Sequence, residues 1–417
     1  MDIRNMGVGV NGTLAKDTLD WTRKVLSACG PRLTGSEACT KSARMIQEDL
    51  ALHCDSTASE EFTVHPASFL FFMKFFALSY LAALVLVFLG GVLIYPAALA
   101  LTAGTVLSLT QFVFYRNLFD PLFKRKKAVN VMGVIEPSGP PRRQIIVSGH
   151  HDSPHEFLFL ASRWQKWYAL RITLGVFSYT AANALCLSWA GLRLVTGADP
   201  SWAGALAWGA LAGAVFVVPL YFFHSKRGVP GAGDNLIACA MAARVAQIFG
   251  QAKKDGKNLL KNTRLVAASF DAEECGLRGA RAFAQMHGQE MADLPTFVLN
   301  MDSIYSLDQL KFLTSDVNGL VGLSTGMADQ CREVARSLGY DTRTVPMVFG
   351  GGATDAAEFA RAGVEATTLL AMSTDHVREG LTYHTMNDTV DCIEPEAVEA
   401  SLLIACGYIL KKDREGI

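Results

Sequence analysis

Residues 263–279 read TRLVAASFDAEECGLRG. Thr263–Phe270 has the short, apolar character of a strand, and Leu277–Met286 the spacing of a helix. Between them stands an acidic turn, Asp271-Ala272-Glu273-Glu274-Cys275-Gly276. The same arrangement recurs. Gln144–Ser148 reads as a strand running into Gly149-His150-His151-Asp152-Ser153, and Thr296–Met301 as one running into Asp302-Ser303. Gly231-Ala232-Gly233-Asp234-Asn235 opens a predicted helix over Asn235–Phe249. Asn130–Ile135 and Ala366–Leu370 read as further strands. Met327–Leu338, Thr354–Ala362 and Pro395–Leu410 read as helices. Alternation of this kind predicts an α/β sheet with helices on both faces, a three-layer α/β/α architecture. Upstream, Leu14–Asp49 reads as two helices, with GPRLTGSE (Gly30–Glu37) supplying the turn and the next N-cap. A short extended piece begins at Glu61.

Half of the 417 residues are hydrophobic and only 18% are charged, against about a quarter in ordinary soluble domains. Membrane segments would dilute a globular composition in this way. Phe69–Ile94 is apolar apart from Lys74, Tyr95-Pro96 is expected to break it, and Ala97–Tyr115 is apolar again. Ile172–Leu192 and Trp202–Phe223 form a second pair, and each run has the roughly 20 residues needed to span a bilayer as a helix. The competing reading, four buried helices of a soluble protein, fits poorly with their near-absence of charge and with flanking Trp164, Trp167 and Tyr168. The N-terminus shows no apolar run of a signal peptide, so insertion is assigned to these internal segments. Arg116, Lys124–Lys127, Arg163, Lys166, Arg171, Lys226 and Arg227 flank one side, and Arg193 alone the other. The positive-inside rule then puts the bulk of the chain on the cytoplasmic side. The expected division is 1–67, hairpin 68–118, 119–165, hairpin 166–224 and 225–417.

Net charge is −1 and no basic-aromatic stripe is present, which excludes a nucleic-acid partner. Nine scattered cysteines without a CxxC pair indicate reduced thiols rather than a zinc ribbon or disulfide framework. Gly228–Gly233 lacks a following Lys-Ser/Thr pair, which excludes a phosphate loop.

Ligands of open α/β sheets gather at the carboxyl ends of strands. Here those ends carry His, Asp and Glu, with His384 following late in Tyr383-His384-Thr385-Met386-Asn387-Asp388. A lone acidic pair is ordinarily a solvated helix start, and a lone His-x-Asp a turn. The joint order and strand-end placement carry the weight. Two zinc ions about 3.5–4 Å apart need a bridging carboxylate. Glu273 and Glu274 can divide the remaining labour, one binding metal while its neighbour takes a proton from water.

This series, GPRLTGSE, NVMGVI, GHHDS, PGAGDN, DAEECGLRGA, NMDS, GGATDAAEF and YHTMNDT, resembles the M28 zinc aminopeptidases over nearly all of the non-hydrophobic chain. The resemblance implies a zinc-exopeptidase-like mixed sheet and two zinc ions. His150, Asp234 and Asp302 would hold one ion; Asp234 would bridge to a second, completed by Glu274 and His384. It implies Glu273 as general base and acid, and Asp152 as the group orienting His150. The substrate would be a peptide with a free N-terminus, and the lipid bilayer a further partner. The chain departs from soluble members in its two hairpins, which interrupt the N-terminal region and the stretch between His150 and Asp234.

Cys275 is expected to be no ligand, and His151 and His155 to serve the loop around the site. Asp355 and Glu358 are expected as cap and packing residues, with a place near the substrate amine as the alternative, and Asp388 as fixing the turn after His384. Tyr305, Tyr383 and His376 are candidates for lining the pocket or polarising the substrate carbonyl. Two other functions fit the scaffold: an amidohydrolase or cyclase acting on another small or lipid-linked amide, and a non-catalytic membrane scaffold.

Overall fold

Thr263–Phe270 forms a strand over its whole predicted length, inside an eight-stranded sheet. The computed structural model describes residues 12–373 and 381–415, so His376 lies outside the described residues. In chain order the sheet contains β1 (Ser56–Val64), β2 (Lys126–Ile135), β3 (Arg143–His150), β4 (Thr263–Phe270), β5 (Thr296–Ile304), β6 (Lys311–Leu313), β7 (Arg343–Val345) and β8 (Glu365–Ala371). Their spatial order is β1–β2–β4–β3–β5–β8–β6–β7. The central β4, β3, β5 and β8 run parallel. β2 is antiparallel to both its neighbours, and β6 is antiparallel to β8. The sheet is therefore mixed, as expected.

Side chains of a strand alternate between faces, and β3 shows the result. Ile145 and Val147 pack with the helices Gly12–Cys29, Ile237–Lys254 and Pro395–Arg414, whereas Ile146 packs on the opposite face with Arg278–Met286 and Ala356–Arg361. Gly149 lets the helix Ile237–Lys254 close on the end of β3, because a Cβ there would stand 2.5 Å from that of Ala238. GPRLTGSE is a turn, and the Ser36 side chain caps the helix Glu37–Ala51 by accepting from Cys39 N. All nine cysteines are free, and six are buried.

Among the described residues, four helices are long and apolar enough to cross a membrane: Phe71–Leu89, Gly91–Val113, Gln165–Thr196 and Ala203–Phe222. Between 28% and 39% of each span is buried, so most of their apolar surface faces outward, unlike that of buried core helices. The joint of the first pair falls at Gly90-Gly91 rather than at Tyr95-Pro96. Both glycines have positive φ, and Pro96 sits in the first turn of the next helix, where its missing N–H costs nothing. Polar side chains tie the pairs together. The Tyr179 hydroxyl lies 2.8 Å from that of Ser79 and donates to Leu101 O at 3.0 Å. Asn183 bonds both Thr102 and Thr105, and Tyr80 donates to Ala210 O. At the distal end Asp199 accepts from Arg193, Trp189 and Gly91 N.

The exit of the first hairpin is gripped by the α/β body. Four consecutive carbonyls, Phe112 to Tyr115, accept from Asn318 (the first two), Arg361 and Arg281. Just beyond, Asp120 pairs with the buried guanidinium of Arg278 at 2.8 Å. An uncompensated buried charge is costly, so Asp120→Asn should cost about 1–3 kcal/mol. The thermal-unfolding midpoint of the reconstituted protein would fall by several degrees.

Candidate metal centre

His150 ends β3, Asp302 lies within β5, and Glu273 and Glu274 follow β4. Asp302 is inside its strand because β5 continues to Ile304, three residues past the expected end. Asp234 was expected one residue before a helix. Regular helix instead begins at Ile237, and Asp234 (φ −121°, ψ 84°) and Asn235 are non-helical. That bend points Asp234 at the strand ends, near a helix N-terminus that favours negative charge. Gly233 makes the bend possible, since a Cβ there would fall 2.1 Å from the Tyr305 ring. Asp388 fixes this loop rather than its own turn alone, accepting from Gly233 N at 2.8 Å and Asp234 N at 3.2 Å.

The predicted side chains converge. Nε2 of His150 is 3.2 Å from Asp234 Oδ1 and 3.8 Å from Glu273 Oε2. Nε2 of His384 is 2.9 Å from Asp234 Oδ2 and 3.4 Å from Glu274 Oε1. Nδ1 of His150 faces Asp152 Oδ1 at 3.3 Å. Asp152 also accepts from Thr34 Oγ1 and from the backbone N–H groups of Glu273 and Glu274, so it ties the β3 and β4 ends together. His150–Asp234–Glu274 and His150–Glu273–Asp302 each bring their donor atoms within 4.8 Å of one another. The groups share His150 and form one continuous donor set. His150 Nε2, Asp234 Oδ2 and Glu274 Oε1 are buried without an aligned hydrogen bond. Buried polar atoms are rarely left so, and a metal ion would satisfy them together. The donor set fits zinc, which takes His nitrogen and carboxylate oxygen.

The electrostatics follow from burial and crowding. Burial, reinforced by Glu274, Asp302 and Asp355 and opposed by His150, holds the Glu273 carboxyl well above its ordinary range. Burial likewise pushes Glu274 and Asp302 up to about 7. Burial works against charge on His384, yet Glu274 and Asp234 outweigh it and raise the imidazole to about 10. Asp234 is held low despite burial, because His150 and His384 face it. Such a cluster of buried carboxylates calls for cations.

Other candidates fall in several places. His151 is fully buried, with Nδ1 on Ser269 Oγ, and groups with Cys39 and Asp271 behind the site. His155 stacks beside His224 in the ribbon formed by His155–Phe157 and His224–Gly228. Cys275 is buried and belongs to none of the donor groups. Glu358 packs in ion pairs with Arg281 and Arg361. Asp355 caps nothing. Both its oxygens are buried without a partner, and burial, with Asp302 adding and His150 opposing, raises its carboxyl far above normal.

Three neighbours of the site were not singled out by the sequence. Phe157, at the root of the second hairpin, donates its N–H to His384 O and sets its ring edge-on to the imidazole at 4.2 Å. Tyr115 leaves the first hairpin with φ +50° and turns its ring into the α/β body, against Phe69 and Leu277. Arg32, within GPRLTGSE, is fully buried and donates to His151 O, Pro230 O and Gly231 O. Their only prior signals were an isolated Arg in a turn and aromatics at hairpin ends.

Residues 220–409 match the sequence profile of peptidase family M28. The chain has the fold of solved zinc exopeptidases. Among solved structures it is similar to a zinc aminopeptidase from Bacillus subtilis, with 13% identity, TM-score 0.55 and coverage of 97% of this chain and 95% of that one. A leucine aminopeptidase precursor from Bacteroides thetaiotaomicron gives 10% identity, TM-score 0.56 and coverage of 98% and 100%. A glutaminyl cyclase from the same organism gives 10%, 0.55, 96% and 98%. No curated protein matches the chain. The M28 match and the donor clusters together mark a zinc-dependent, aminopeptidase-like enzyme.

Proposed function

We propose that this M28-like enzyme is a membrane-embedded aminopeptidase that uses two zinc ions to remove residues from the free N-terminus of peptides. The observation that supports it most is the shared donor set around His150 and Asp234. His150, Asp234 and Asp302 would hold one ion, and Asp234, Glu274 and His384 the other. Zinc bound there supplies Lewis acidity toward water and the scissile carbonyl. Glu273, which lies within the donor set 3.8 Å from His150 Nε2, takes the proton of the attacking water and returns it to the leaving amine nitrogen. Asp152 holds the imidazole of His150 through Nδ1. The four apolar helices support membrane integration, and the basic residues at their roots support a catalytic body on the cytoplasmic side.

The test pairs metal analysis with a substrate panel. Purified protein should carry two zinc ions per chain and hydrolyse aminoacyl amides, leaving N-acetylated counterparts intact. Chelation should abolish turnover and zinc should restore it. His384→Ala, which removes a donor of the second ion alone, should retain about one ion and lose about 10²-fold or more in kcat. A single ion in the unaltered protein, with cyclisation of N-terminal glutamine in place of hydrolysis, would favour the cyclase reading of this fold.

A further inference from the structure

Beyond the four spanning helices, two turns of the α/β body carry exposed apolar side chains. Val348 and Phe349 are 61% and 72% exposed, on the loop between β7 and the helix Ala356–Arg361. Leu320 is 54% exposed on the neighbouring turn, where a Cβ on Gly319 would touch Met347 O. Single exposed apolar residues are ordinary, but three on adjoining turns form a patch. The patch is anchored. The buried Asn318 accepts from Gly350 N at 3.1 Å and Gly352 N at 3.4 Å, and its own N–H receives a partner in Gly352 O. The same side chain donates to Phe112 O at 2.8 Å and Val113 O at 3.4 Å, the last residues of an apolar helix long enough to cross a membrane. One amide thus ties the loop to the level at which the first hairpin leaves the bilayer. Around that level the surface remains apolar with a basic rim: Phe114, Leu118 and Leu122 are exposed, as are Arg116, Lys124 and Arg125. Apolar tips beside Lys and Arg suit the boundary between headgroups and acyl chains.

We propose that the Val348–Phe349 loop, together with Leu320, inserts into the bilayer interface beside the first hairpin and seats one wall of the active site on the membrane surface. The occupant of the patch is lipid, because the patch is continuous with the hairpin that supplies the membrane contact. The loop returns to the site within a few residues. Gly350 and Gly352, both at positive φ, turn it toward Thr354 and the buried Asp355, and Tyr115 Oη would lie 3.6 Å from a Cβ on Gly352. On this proposal the site is approached from lipid level, and its substrates are apolar peptides lying on or leaving the bilayer. This deepens the proposed function and rests on its membrane assignment.

The full chain, with a photoreactive benzoylphenylalanine at position 349, would be placed in phosphatidylcholine–phosphatidylglycerol nanodiscs and illuminated, and lipid adducts counted by intact mass. Parallel proteins carry the probe at Leu99, exposed midway along the first hairpin, and at Leu52, exposed near the opposite end of β1. Adducts at 349 should approach those at 99 and exceed those at 52 by about tenfold. Adducts at 99 with none at 349 would overturn the loop assignment alone. Absence at both would overturn the membrane assignment as well, and chain-to-chain adducts at 349 would replace lipid with a second copy. As an activity readout, V348S/F349S should lower kcat/KM on a lipid-anchored peptide in vesicles by about tenfold while leaving a soluble aminoacyl anilide unchanged. Equal effects on both substrates would overturn the proposal.

Discussion

Glu273→Gln should leave the protein folded and loaded with metal but lower kcat by about 10³-fold, within the range that general acid–base groups supply. That loss equals about 4 kcal/mol of barrier. The substitution is chosen for what it preserves. The Glu273 backbone N–H donates to Asp152 Oδ1, and its carbonyl accepts from Gly276 N and Leu277 N. None of these involves the side chain, so the turn after β4 keeps its shape with Gln. What disappears is a carboxyl held far above its usual range by burial and by Glu274, Asp302 and Asp355. In the proposed mechanism the Glu273 carboxylate takes a proton from water and gives it up again, which an amide cannot do. Glu274→Gln provides the contrast: the side chain faces His384, and its loss should lower zinc content together with activity. Near-normal kcat in folded, zinc-replete Glu273→Gln would end the mechanism. Loss of zinc in that variant would move Glu273 from base to ligand.

The sheet and the gathering of its strand ends are legible in the sequence. β4 was bounded correctly because Thr263–Phe270 is uniformly strand-like and ends in Asp271. The strand-end residues His150, Asp302, Glu273 and Glu274 converge because parallel strands deliver their carboxyl ends to one edge. The short strands β6 and β7 escaped notice. Each has three residues and includes a Lys or Arg, with too few positions to show a period, and their pairing depends on distant partners. The hairpin joint was misplaced by a few residues because Pro reads as a breaker, although the first turn of a helix tolerates it. Asp355 stood at a helix start and read as a cap. Its full burial and its electrostatic interaction with His150 and Asp302 arise between segments distant in the chain, which local sequence does not encode.

Arg32 is the strongest instance of such hidden structure, and its replacement should be the most destabilising change outside the donor set. Arg32→Leu should cost about 3–5 kcal/mol, as for other buried polar networks broken on one side. Nε donates to His151 O at 2.8 Å, Nη1 to Pro230 O at 2.7 Å, and Nη2 to Gly231 O at 2.7 Å. Its backbone exchanges hydrogen bonds with Ser153, N–H to Oγ at 2.8 Å and carbonyl to N–H at 3.0 Å. One side chain thereby fastens the loop after β3, which carries His150 and Asp152, to the loop that carries Asp234. Leucine would leave His151 O and Pro230 O without a donor, each worth about 1–3 kcal/mol before relaxation, while Gly231 O would keep only Leu236 N. It would also free the two loops to separate, weakening zinc retention by about 10–100-fold, the usual cost of losing a group that positions ligands. Lysine should rescue only part, since a single ammonium cannot reproduce the planar fork that meets three carbonyls at once. The measurements are the unfolding midpoint in nanodiscs and zinc retained against a competing chelator. A variant that unfolds early yet holds zinc normally when folded would confine Arg32 to stability. A parallel loss of both would show that the buried guanidinium sets the distance between His150 and Asp234, on which a shared metal centre depends.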